Sequence, residues 1–425
     1  MKKRAWSSLL AVLLALCLLL GSVGALAEGS TIQVSEDNGA LVVTAGDVTQ
    51  VSDYGDGIGV YTGEDDGIGH EMPWIAVDGQ DVNPDEPESL KSIDITVNSV
   101  DVSDADGEYA YGIYAQNYDE NVSATITVKG GVSARNSAVN AINADITVGG
   151  DVTAGDDGIY ASEEGTVTVT GNVTAGDNGV EAYDNSTVNV IGNVTAAGKY
   201  GIYASDSNVN VTGDVTASST GGGEESGTYG VKVYTYLGDT VTVAAGNVSA
   251  SSTDSGSSCA YGLYADSDNE NDVIIITAKD VSATASSDNG SAKAYGIRGY
   301  HGEGGSVFIA ADNVTASAST AVGVDAYADG GLFVVVAAGD VTATGDDNGN
   351  GSYGIQANAL YGGMAGVAVI GDEESGKKGD VTATGEGSIG VSVSYNGGSA
   401  YQAFKAEGVA IDGPVHVGLV FSMDI

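Results

Sequence analysis

One phrase constrains this chain more than any other feature. Gly-(Asp/Asn)-Val-(Ser/Thr)-Ala begins at Gly150, Gly171, Gly192 and Gly213, a spacing of 21 residues. It returns at Gly246, Lys279 and Asp312 with a spacing of 33, and again at Gly339 and Gly379. With earlier variants at Gly46, Val100 and Gly130 there are about twelve copies. A second phrase, close to Tyr-Gly-(Ile/Val/Leu)-x-Ala, follows each copy, as at Tyr111, Tyr200, Tyr261 and Tyr353. A third alternates, as in TVTVT from Thr166 and TVNVI from Thr187. Every phrase has period two, the mark of a strand with one buried face.

Three strands per repeat set the architecture. In the copy from Gly150, Val152, Ala154, Ile159, Ala161, Val167 and Val169 fall on one side, while Thr153, Tyr160, Thr166 and Thr168 fall on the other. The next copy keeps size column by column, with Val173, Ala175, Val180, Ala182, Val188 and Val190. So few small apolar side chains cannot offset the entropy of ordering a whole repeat. Stacked copies solve this, because each strand then pairs with its counterparts above and below. The expected fold is all-β, a single-stranded parallel β-helix with three short strands per coil. About twelve coils at ~4.8 Å each make a rod on the order of 55 Å long. A sandwich of antiparallel hairpins is disfavoured, because it gives no reason for one phrase to keep its identity over many copies. Helices are disfavoured by the abundance of Val, Thr, Gly and Asn.

The chain opens with Lys2, Lys3 and Arg4, an apolar run from Leu9 to Leu20, and Ala25-Leu26-Ala27. This is a secretory signal peptide by pattern, over residues 1–27. Residues 28–92 are expected to hold the first coil or coils and an acidic capping loop, and residues 93–425 the β-helix. The loop from Thr62 to Ser92 carries Trp74 and His70, and covering a solenoid end is its expected role. Removing residues 1–27 takes away three basic and no acidic side chains, leaving 11 Lys and Arg against 58 Asp and Glu, a formal charge of −47. Such a chain repels nucleic acid and anionic membrane surfaces. Cys259 is then the only cysteine, so no intrachain disulfide forms, and a buried small side chain is its expected state.

Several columns bear on function. The recurring Gly before the inward aliphatic, as at Gly158 and Gly201, needs either a positive φ or close backbone approach at a corner. Asp or Asn before Val, as at Asp151, Asn172 and Asn193, suits a corner ladder. Acidic corners at Asp156, Asp157, Asp177, Asp346 and Asp347 are candidate calcium ligands, since Ca²⁺ takes six to eight oxygens. The nonapeptide motif of calcium-binding β-rolls is absent, and no cofactor beyond structural Ca²⁺ is expected. Tyr160, Glu181, Tyr203 and Tyr264 occupy the outward position of the second phrase and are the candidate ligand-binding residues. Tyr rings stack on sugars while carboxylates bond their hydroxyls; packing of the rings along a ladder is the competing reading. Spacers lengthen after Ala217, Ala250 and Ala283, at one corner, where solenoids often place binding loops.

From Gly46 to Val393 the three-strand coils resemble the right-handed parallel β-helices of the pectin-lyase-like superfamily, and most of all the non-enzymatic bacterial solenoids that are secreted or displayed as adhesins. Right-handedness is implied by that resemblance alone. It also implies that an enzyme of this fold would act on acidic polysaccharide with Asp clusters and Arg or Lys. Arg135 and Arg298 lie far apart in repeat number, and the net charge repels a polyuronate. His70, His301 and His416 show no partner pattern. The expectation is a secreted or cell-surface scaffold, monomeric and without catalysis, that binds an extracellular glycan or surface protein and does not insert into a membrane. The alternative is a polysaccharide lyase or glycoside hydrolase.

Overall fold

The computed structural model describes residues 32–63, 73–85, 87–105, 110–220, 227–302, 305–329, 333–346, 351–360, 364–369, 380–385, 388–396, 410–412 and 415–420. The expected signal peptide over residues 1–27, His70 and Asp347 lie outside them. The alternating phrases fold as strands of three sheets, with 13, 13 and 15 strands. The TVTV phrase builds the first sheet, the DVTA phrase the second and the GIYA phrase the third. Successive copies pair parallel and in register: Val152 with Val173, Val173 with Val194 and Val194 with Val215. The chain is a parallel β-helix.

Registry puts like over like. Val167, Val188 and Val209 stack in the first sheet, and Ile159, Val180 and Ile202 in the third. All are buried in one continuous core. Each column gives every coil the same neighbours, so coils of different length can stack without disturbing the core. Cys259 is buried and free.

The N-terminal end is closed by reversing strand direction. Gln33–Asp37 pairs antiparallel with Ala40–Thr44 at the edge of the first sheet. Trp74–Val77 pairs antiparallel with Asp56–Thr62 at the edge of the third, and Gln80–Asp81 pairs in turn with it. Trp74 lies over Gly59 among Tyr54 and Tyr61, whose ring centroids are 4.9 and 5.2 Å away. An antiparallel edge strand and an aromatic plug thus cover a strand row that would otherwise pair with another chain.

The corners are held by side chains that accept from the next coil. Asp151 Oδ1 accepts from Asn172 N at 2.7 Å, Asn172 Oδ1 from Asn193 N at 2.9 Å, and Asn193 Oδ1 from Asp214 N at 2.8 Å. Only an oxygen acceptor is required, which explains why Asp and Asn alternate freely in this column. Between the third and first sheets the turn uses left-handed residues, Glu163 and Glu164 in one coil and Asp184 and Asn185 in the next.

Two expectations are refined. The recurring glycine does not take a positive φ; Gly158 and Gly179 sit at the bend just before their strands, whereas in longer strands the glycine lies inside. Gly201 lies within Tyr200–Ser205, where it and Ile202 both turn inward. A Cβ there would meet Gly230 O at 2.5 Å and Val215 Cγ1 at 2.6 Å. Close approach is the cause. The lengthened spacers are not simply loops either. They continue two sheets outward, as in Val248–Asp254 and Ser258–Ser267, and in Asp280–Ser287 and Ala292–His301. The extended strands enclose a second core made of alanine, including Ala260, Ala283, Ala285, Ala292 and Ala294. Methyl groups alone let the two sheets approach closely there.

Candidate functional site

The outer face of the third sheet gathers the chemistry. Its central column runs, coil by coil, through Tyr160, Glu181, Tyr203, Lys232, Tyr264, Arg298 and Asp325. All four residues expected to bind ligand, Tyr160, Glu181, Tyr203 and Tyr264, therefore stand in one line. A second column carries Tyr234, Asp266, Tyr300 and Tyr327. A third carries Tyr200, Tyr229, Tyr261 and Tyr295. Lys232, Asp266, Arg298 and Asp325 were missed by sequence reasoning. Reading the second phrase downward by its fourth position would have found three of them.

The tyrosines of the third column stack on one another. Tyr229 and Tyr261 are 4.7 Å apart and nearly parallel at 5°, and Tyr261 and Tyr295 are 5.0 Å apart at 7°. Their faces are taken, so this column offers ring edges and hydroxyls. Tyr264 stands across them at 82° to both Tyr229 and Tyr261. Burial, reinforced by neighbouring phenols and carboxylates, pushes the phenols of Tyr229 and Tyr264 well above the ordinary range. They remain neutral hydroxyls at physiological pH.

Two cations sit inside this aromatic surface. Lys232 Nζ lies 5.3 Å from the ring centres of Tyr203 and Tyr229 and 5.9 Å from that of Tyr264. Burial lowers its pKa, aided by Lys199. Arg298 Cζ lies 5.2 Å from the Tyr295 ring, and its Nε is 3.5 Å from Asp325 Oδ2. Carboxylates alternate with them. Tyr183 donates to Glu181 at 3.2 Å and Tyr264 donates to Asp266 at 3.1 Å. Burial, then the charge of Asp268, raises Asp266 to about 6, against the pull of the Tyr264 hydroxyl, Lys232 and Arg298. A ring quadrupole holds a cation without neutralising it. The face therefore presents both signs of charge and a row of hydroxyls at a repeat of ~4.8 Å.

The candidate calcium residues are placed differently. Asp157 Oδ1 accepts from Asn178 N at 3.2 Å and from Asn178 Nδ2 at 3.1 Å. Asp156 accepts from Asn136 Nδ2 at 2.9 Å. Both hold corners. Asp177 lies one coil above Asp156, joined by a backbone bond, and Asp346 lies many coils away. Among the described residues no three His, Cys, Asp or Glu converge to hold a metal ion. A cleft of about 510 Å³ at the corner between the third and first sheets is lined by Glu120, Glu163, Glu164 and Asp184, together with Tyr118 and three Asn, among them Asn143. Among the described residues no helix is long and apolar enough to cross a membrane. No protein family, curated protein or solved structure matches the chain.

Proposed function

We propose that the chain is a secreted or surface-displayed scaffold that binds an extracellular glycan along the outer face of the third sheet. One observation carries this reading. Phenol hydroxyls, half-buried carboxylates and two ring-held cations recur in register over successive coils. A polymer of hydroxyl-rich units can meet a phenol hydroxyl at each coil from Tyr200 to Tyr295, with charged groups at intervals beside it. Fixed side chains on a rigid sheet lose little entropy on binding, which suits weak contacts repeated many times. The adhesin-type solenoids it resembles supply the same kind of display, and the signal-like N-terminus supplies the route.

The test is a glycan and matrix-protein array, read for the parent protein and for Lys232→Ala and Tyr264→Ala, beside an assay for release of unsaturated or reducing sugar. Retention on a glycan class, weakened about tenfold by either substitution, is expected. Asp266, a carboxyl near neutrality beside Tyr264 and Arg298, is the group an acid–base enzyme would use. Sugar release that Asp266→Asn abolishes would therefore replace the scaffold reading with the enzymatic one.

A further inference from the structure

The outer face of the first sheet changes character along the rod. After Val42 at the N-terminal edge, its outward column reads Asp94, Thr125, Asp145, Thr166, Thr187 and Asn208. From Thr242 onward the same column reads Ile275, Phe308 and Val335. The neighbouring outward column becomes Thr277, Ala310 and Ala337. Ile275 is 37% exposed and Phe308 39%. The core does not ask for this change, since the inward positions remain Val241, Ile274, Val307 and Val334 throughout. Thr serves the strand equally well in earlier coils. Among the described residues, the inward core gives no reason for apolar side chains at these outward positions.

Acidic residues border this patch on both long sides. Asp239, Asp268 and Glu270 stand at the corner where the chain enters the first sheet, and Asp280, Asp312 and Asp340 at the corner where it leaves. Lys279 is the one cation on either border among the described residues. Leu237, 52% exposed, extends the apolar area at the first corner. Four coils at ~4.8 Å and about five residues of strand give a face on the order of 300–400 Å². That is the size of a functional patch on a monomer. It is about half of what each partner buries in a stable interface. A second copy would also bring its own acidic borders against these. Anionic lipid is repelled by the same borders.

We propose that this face docks a cationic amphipathic segment of a partner protein, an extended apolar stretch with Lys or Arg on both flanks. The apolar stretch covers Ile275, Phe308 and Val335, and the flanking cations meet the two acidic borders. This surface is separate from the tyrosine face, and the proposal does not depend on the glycan reading.

The test titrates the chain from residue 28 onward into a fluorescein-labelled peptide with a central Ile-Phe-Val run flanked by lysines, read by anisotropy. Binding is expected to weaken about tenfold or more in the double variant Ile275→Thr, Phe308→Thr, and equally when the flanking lysines are replaced by glutamates. Thr occupies this column in folded coils, so the variant is expected to keep the parent melting curve. On the unaltered chain, a peptide with the same lysines around a serine run provides a measurement independent of any variant. Equal affinity for that peptide, or for the double variant, would mean simple attraction to an acidic protein and overturns the proposal. A concentration-dependent dimer that the double variant abolishes assigns the face to a second copy and overturns it too. Binding to neutral phosphatidylcholine vesicles, lost in the double variant, overturns it in favour of lipid.

Discussion

Gly201→Ala puts the account of coil stacking to a quantitative test. The new methyl group would stand 2.5 Å from Gly230 O, in the following coil, and 2.6 Å from Val215 Cγ1. An ordinary contact needs about 3.4 Å. Val215 can yield by leaving its rotamer, at about 0.5–1.5 kcal/mol. The carbonyl cannot yield alone, because it belongs to a ladder whose coils are ~4.8 Å apart. Moving it by about 0.9 Å stretches the adjoining interstrand bonds from about 2.9 Å past the usual limit of 3.2 Å. Two such bonds contribute about 1–3 kcal/mol. The substitution should therefore cost about 2–4 kcal/mol. Two other glycines separate space from conformation. Gly256 has nothing nearer than Asp254 Oδ1 at 3.8 Å, so Gly256→Ala should be neutral or slightly stabilising. Gly238 has room, with Asn271 Cβ at 3.5 Å, but holds φ +89°, so Gly238→Ala should cost about 1–2 kcal/mol by strain alone. Urea unfolding followed by far-UV circular dichroism gives all three, with hydrogen exchange around residues 194–231 locating the damage. If Gly201→Ala unfolds within about 0.5 kcal/mol of the parent, or no earlier than Gly256→Ala, close packing does not dictate this column.

Three further outcomes follow from the corners and the N-terminal plug. Burial raises Asp56 to about 7, against the pull of the Tyr61 hydroxyl, so the folded chain holds a proton there that the unfolded chain releases near 3.8. Stability from this group is present at low pH and is lost as pH rises from about 4 to about 7. Asp56→Asn should match the parent at pH 4 and exceed it at pH 8, by at most about 4 kcal/mol, and melts across that range decide it. Asn193→Ala leaves Asp214 N without its acceptor and should cost about 0.5–1.5 kcal/mol, whereas Asn193→Asp should stay within about 0.5 kcal/mol; equal losses in the two would dismiss the corner ladder. Asp157→Asn keeps the acceptor for Asn178 N and should melt like the parent with or without EDTA. A melting point that EDTA lowers in the parent but not in this variant would place a cation at that corner.

The sheets and their register were legible because the core repeats by column. Val152, Val173 and Val194 announce a ladder as soon as the copies are written one above another. The lengthened coils were not legible, because Ser251, Ser252, Ala285 and Ala292 lie in Ser- and Ala-rich strings that read as loop. Only a facing strand of small residues makes them a second core, and no local pattern reveals that facing strand. The glycine column was half legible. Its invariance signals a constraint, but a positive φ and a nearby carbonyl leave the same trace in sequence. At the tyrosine face the four outward residues were readable one at a time. The grouping of Lys232, Tyr264, Arg298 and Asp325 was legible only by aligning the second phrase across coils of unequal length, since these residues are separated by 32, 34 and 27 positions yet stand in successive rungs.

The second sheet supplies the comparison that gives the other two faces meaning. Its outward column reads Ser133, Thr153, Thr174, Thr195, Thr216, Ser249, Ser282, Thr315 and Thr342. This is what an outward position becomes when only strand propensity and water act on it. The same chain, under the same core constraint, departs from that default twice. On the third sheet it places tyrosines, carboxylates and ring-held cations; on the first sheet, from Ile275 onward, it places aliphatic and aromatic side chains. The second sheet stacks in register without either departure, although tyrosine stacking between coils adds to the ladder of the third. The departures also differ in kind. Charge and hydroxyl suit a polar ligand, and a dry patch between acidic borders suits an apolar segment with cationic flanks. The two proposed partners would occupy faces that do not compete, so loss of one binding activity in a face-specific variant should leave the other intact.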